Sequence, residues 1–243
     1  MKQQANLQPG LQPGLQPGPQ PSSQPSAAGF SIVELMIAIT LTLVVLTIGS
    51  TLLSTGLRIR TRQNSASDAI ADTQRALNIM SREIANAGFR LNTNGLVDGD
   101  SDSTHIRIRS NLNALDTSAS QTSRENVVDA GEDVKYLVND ASNTNYLVRF
   151  DAYASNTTTV LANRLDSLRI HYFSQKVTYS TSGCDITGAS ASEVSPSAAS
   201  YIVLAVCVTL PEVGARNSSG YVPASNVLLV SDVSLRNSSL TTY

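Results

Sequence analysis

Residues 35–57 read LMIAITLTLVVLTIGSTLLSTGL, 23 consecutive positions without a charged side chain. As a helix rising about 1.5 Å per residue, this run is about 35 Å long, enough to cross a hydrocarbon core of about 30 Å. A cleavable secretory signal has an apolar region of only about 7–15 residues. The run therefore predicts a membrane anchor, with Ser54-Thr55-Gly56 as the alternative, a small-residue cleavage point. Just ahead of it stands Glu34. An unpaired carboxylate carried to the centre of a membrane helix costs about 2.5–3.5 kcal/mol. The residues alone leave two roles open for Glu34: an end marker that reaches the headgroups, or an acid that needs a cation.

Outward from the anchor, composition divides the chain. Its 243 residues carry 17 Lys+Arg against 19 Asp+Glu, with 15% charged side chains, two His, two Cys and no Trp. This balance argues against a nucleic-acid surface built on dense Lys/Arg and against a multi-cysteine zinc protein. Six of the nine prolines lie before Ser26, and Leu-Gln-Pro-Gly repeats in tandem from Leu7, Leu11 and Leu15. Residues 1–29 can bury almost no apolar surface and are expected to be disordered with polyproline II character, a leader rather than a domain. Lys2 is the only base before the anchor, while Arg58, Arg60 and Arg62 follow it. Taken alone, the positive-inside rule puts the C-terminal side in the cytoplasm.

Beyond Arg62 the positions Ala66, Ile70, Thr73, Leu77, Met80, Ile84 and Ala87 recur at spacings of three and four. They form an amphipathic stripe, and Gly88 is placed to end it in a left-handed cap. No proline interrupts residues 30–88, so one helix of about 90 Å is predicted, apolar all round over 30–57 and one-sided over 58–88. From Leu91 the period changes towards two. Strands are predicted at 104–110, 134–139, 145–151, 158–162, 165–173, 176–180, 200–210 and 226–236, with mobile loops at 113–126 and 180–200. Residues 201–208, YIVLAVCV, are apolar without alternation and predict a central strand buried on both faces. The fold class is α+β, a long N-terminal helix packed on an antiparallel sheet domain spanning 89–243.

Gly29-Phe30-Ser31-Ile32-Val33-Glu34-Leu35, followed by the uncharged span, resembles the processing and assembly motif of type IV prepilins and pseudopilins. The resemblance implies that a prepilin peptidase cuts after Gly29 and N-methylates Phe30. It implies that Glu34 pairs with the terminal amine of a neighbouring subunit, so that a charge costly alone in lipid is neutralised on assembly. It also implies a cytoplasmic N-terminus and a periplasmic head, against the placement of the three arginines. This leader differs from the family's usual short one, which has a base near the cut; here Lys2 lies far from Gly29. Arg82-Glu83-Ile84-Ala85-Asn86-Ala87-Gly88-Phe89 resembles a signature of PilW-type minor pilins, and Leu235-Arg236-Asn237 is similar to their closing strand.

On a periplasmic side Cys184 and Cys207, the only cysteines, are expected to be bonded, as a C-terminal disulfide is in many pilins. The alternative is a buried free thiol at Cys207. No nucleophile elbow, phosphate loop, H-E-x-x-H or C-x-x-C is present, so neither catalysis, a cofactor nor a small-molecule substrate is expected. His105 and His171 are read as structural. Asp98-Gly99-Asp100-Ser101-Asp102 begins like a calcium loop, but Ser103 and Arg109 stand where that loop needs Gly and Glu, and a solvated turn is expected. The resemblance implies a minor pilin seeding a type IV pilus, in twitching motility, adhesion or DNA uptake. Its partners would be the peptidase, other major and minor pilins and the inner membrane. A minor pseudopilin of a type II secretion system and a signal-anchored periplasmic binding or adhesive domain are the alternatives.

Overall fold

A computed structural model of the protein describes residues 29–141, 144–155, 157–217 and 221–237. The expected disorder of 1–28 lies outside the described residues. The long helix α1 runs Ile32–Ala85, 54 residues. Thr42 and Thr47 donate their hydroxyls to the carbonyls of Ala38 and Leu43, each at 2.7 Å, so these polar groups are satisfied within the apolar run. The chain divides into two units, one through Ser50 and one from Thr51.

In the second unit α1 buries Ala69, Thr73, Ala76, Leu77, Met80 and Ile84. The predicted stripe is shifted at its start: Ala66 and Ile70 are half-buried, and Ala69 and Ala76 are buried in their place. The centre of the buried face thus falls on small side chains, which let the strand layer approach the helix backbone closely. Thr73 fits there because its hydroxyl donates to the Ala69 carbonyl at 2.7 Å.

The helix stops at Ala85, three residues before the predicted cap, and a turn follows. Gly88 has φ +76°, and a Cβ on it would lie 2.7 Å from the Thr93 carbonyl oxygen. Gly95 has φ +79°, and its Cβ would come within 2.1 Å of the Gly88 nitrogen. The two glycines cross backbone on backbone, which no larger residue permits.

Strands β1 (His105–Arg109), β2 (Asp133–Ala141), β3 (Thr144–Asp151) and β4 (Thr158–Leu165) form an antiparallel meander. Next come β5 (Ser167–Phe173), the short hairpin β6 (Ser180–Ser182) and β7 (Asp185–Thr187), β8 (Tyr201–Leu210) and β9 (Ser225–Ser234). A second antiparallel sheet has the order β5-β8-β9. Ile202, Leu204, Val206 and Val208 of central β8 join the main core with α1 and both large sheets. Tyr201, Val203 and Ala205 face the opposite way, onto Phe173, Val177 and Ile186. β8 is buried on both faces, as its unbroken apolar run predicts.

Two expectations are corrected. The 176–180 strand does not form: Thr178 exchanges its backbone bonds with Ser190, its N–H going to the Ser190 Oγ at 3.0 Å and its carbonyl to the Ser190 N–H at 2.9 Å. The predicted loops also hold structure. Segment 180–200 contains the β6–β7 hairpin, and 113–126 contains helix α2 (Gln121–Glu125), capped by Ser120. Buried Glu132 accepts backbone N–H groups of Leu112, Asn113, Val128 and Asp129 at 2.8–3.2 Å, pinning both ends of the segment that carries α2.

Candidate membrane and assembly surface

Gly29 and Phe30 precede the helix, and Phe30 is 82% exposed. Glu34 falls in the first helical turn, exposed and without an ion-pair partner among the described residues. Behind it, large apolar side chains from Leu35 to Leu57 are all more than half exposed. This helix is long and apolar enough to cross a membrane. A continuous apolar surface of this kind needs lipid or other helices to cover it.

The two motif segments of the head, far apart in sequence, meet at the end of α1. The Arg236 backbone N–H donates to the Ala85 carbonyl at 3.1 Å, and Asn237 Nδ2 donates to the carbonyls of Asn86 and Ala87 at 3.3 and 3.1 Å. A helix leaves its last carbonyls without partners, and here a remote segment supplies donors. Leu235 is buried in the main core, and the Phe89 carbonyl accepts the Asn111 N–H at 2.9 Å. Arg82 is exposed.

Glu83 ties the helix to the first sheet. It accepts the Tyr136 hydroxyl at 2.5 Å and Arg149 Nε at 3.1 and 3.2 Å, while Arg149 Nη1 donates to Asp151 at 3.0 Å. Tyr136 and Arg149 are register partners on β2 and β3, so one cross-strand pair faces one helical carboxylate. Burial, reinforced by the Glu83 charge, raises the Tyr136 hydroxyl well above its ordinary pKa. Sequence reasoning found Glu83 but neither Tyr136 nor Arg149, whose only advance signal was an arginine inside an apolar strand pattern.

Cys184 and Cys207 are disulfide-bonded with Cα atoms 5.2 Å apart. The bond pins the β6–β7 hairpin against central β8. Asp166 lies close to both sulfurs, but a disulfide offers no thiolate to a metal. Each carboxylate in the Asp98–Asp102 stretch has a donor within the protein. Asp98 accepts the Ser197 N–H at 2.6 Å, Asp100 pairs with Arg107 at 2.6 Å and Lys135 at 3.0 Å, and Asp102 accepts the Thr104 and His105 N–H groups at 2.6 and 2.7 Å. Hydrogen bonds from Arg107 and then Lys135 hold the Asp100 carboxyl below its usual range. His105 bonds Asp102. His171 lies between Glu193, 2.7 Å from Nδ1, and Asp185, 2.6 Å from Nε2.

No known protein family, curated protein or solved structure matches this chain. What its surface can do is therefore argued from its own residues.

Proposed function

We propose that the chain is a minor pilin that seeds or tips a type IV pilus. In this scheme prepilin peptidase cuts after Gly29 and methylates Phe30, the apolar helix holds the subunit in the inner membrane, and the head lies in the periplasm. The observation that carries the proposal is the exposed N-terminal run with its single acid. Glu34 stands in the first turn of α1, just ahead of the uncharged and exposed run 35–57, with Gly29-Phe30 outside the helix before it. An exposed cleavage point suits a peptidase. A lone carboxylate at the head of an apolar helix suits pairing with a neighbour's terminal amine, because the pair removes a charge that lipid penalises.

The test is mass spectrometry of the N-terminal peptide of the protein recovered from host inner membrane. A chain that begins at methylated Phe30 supports the proposal, and one that begins at Met1 or beyond Gly49 overturns it. Glu34→Ala is expected to abolish assembly while leaving membrane insertion and the disulfide intact. Unimpaired assembly would remove the charge-pairing role.

A further inference from the structure

A cavity of about 550 Å³ lies between α1 and the end of β8. Its walls are largely apolar, from Leu57, Ala66 and Ala69 on the helix to Leu210, Pro211 and Val213 across from it. Among the described residues its only charged lining is Arg58 and Arg62, with no acid. Arg62 is half committed: Nη2 donates to the Pro223 carbonyl at 2.8 Å, while Nε is buried without a hydrogen-bond partner among the described residues. A buried guanidinium N–H left unpaired costs free energy that an anionic oxygen would recover. Of the acids next to lining residues in sequence, Glu212 is engaged by Arg216 and Tyr221, and Asp68 is exposed and does not line the cavity.

Position narrows the occupant further. Leu57, the last residue of the uncharged run, lines the cavity with Arg58 and Arg62 directly after it, so the two cations stand where that run ends and the helix's apolar lining, Ala66 and Ala69, lies beyond them. An apolar trough with two cations at its rim matches an amphiphile with an acyl chain and an anionic head. A protein helix would need only the apolar part, and a soluble anion only the arginines. We propose that this groove takes an anionic phospholipid from the membrane, with the phosphate on Arg58 and Arg62 and one acyl chain drawn out of the bilayer past them, along Ala66, Ala69 and Leu210. The proposal rests on the reading of α1 as a membrane anchor and is independent of pilus assembly.

The full chain, reconstituted in vesicles of phosphatidylethanolamine and phosphatidylglycerol, is photolabelled with either phosphatidylglycerol or phosphatidylcholine carrying a diazirine on one acyl chain. Labelled peptides are then mapped. Both probes are expected to label 35–57, and phosphatidylglycerol alone to label 209–213 strongly. Arg58→Gln and Arg62→Gln should each lower the 209–213 label about fivefold, the scale of one arginine near an anionic surface, with the 35–57 label unchanged. Ala66→Trp, which fills the trough, should remove the 209–213 label; retained disulfide and thermal midpoint show that the head is intact. Equal labelling of 209–213 by both lipids overturns the phosphate contact. Label confined to 35–57 overturns the lipid site while sparing the anchor, and absence of label throughout overturns the anchor and the site with it. Photo-crosslinking between two copies through 209–213 would assign the groove to a second chain instead.

Discussion

One helix is treated in two opposite ways. Over 35–57 its leucines, isoleucines and valines stand more than half exposed, whereas Met80, Ala76 and Ile84 of the same helix are fully buried. Backbone hydrogen bonding within a helix is local and is the same in both stretches. What differs is the partner: the second stretch has two sheets of its own chain against it, and each fully buried aliphatic side chain contributes about 1.5–3 kcal/mol. The first keeps its large apolar side chains more than half exposed among the described residues, a surface available to a membrane or to other helices. Hydropathy alone thus marks where cover is needed, and periodicity marks whether the chain supplies it.

The sharpest way to break this comparison is to shorten one aliphatic side chain in each setting. Leu204→Ala, in central β8 with no exposure, should cost the head about 3 kcal/mol, while Leu43→Ala, 57% exposed, should leave its thermal midpoint unchanged. Thermal unfolding of the full chain in detergent checks both. Equal shifts would mean that the exposed run is packed on the head after all. Next, reducing Cys184–Cys207 frees a 23-residue separation and should lower stability by about 3 kcal/mol in the chain-entropy model, with hydrogen exchange rising first in the β6–β7 hairpin.

Smaller effects test the polar ties. Glu83→Ala leaves the buried Tyr136 hydroxyl and Arg149 without their helical partner and should cost about 2 kcal/mol in urea unfolding; Tyr136→Phe in that background should restore part of it. The smallest effect is one of pH. Burial opposes the charged His171 ring, but hydrogen bonds to Glu193 and Asp185 outweigh it and raise its pKa above the ordinary value. The stabilisation is therefore full below pH of about 6.5 and is lost as pH rises through the higher folded pKa. The thermal midpoint should fall across that window, and His171→Asn should flatten the fall.

Much of the fold was legible because its signals are local. The uncharged span, the three-and-four stripe and the non-alternating run of β8 each announce an element within 23 residues or fewer. Strand 176–180 misled because Val177 and Tyr179 give an alternating pattern, whereas the backbone partner is the single residue Ser190. The Asp98–Asp102 stretch was legible as a turn after the helix but not in its partners, since Ser197, Arg107 and Lys135 arrive from separate elements. Glu132 gave no advance signal either: a carboxylate serving four backbone amides is defined by where two loop ends meet.

By itself, the sequence determined that one helix would outrun its own domain, that a β-rich head would follow it, and where that head would have a doubly buried strand. Hydrophobic period and proline placement act over a few residues, so no tertiary contact is needed to read them. Only the tertiary structure decided that the buried helical face centres on Ala69 and Ala76, that Glu83 meets Tyr136 and Arg149, and that Asn237 completes the helix end. Those outcomes depend on register between segments up to 151 residues apart, which strand pairing and the close crossing of Gly88 and Gly95 set, and which no local pattern encodes.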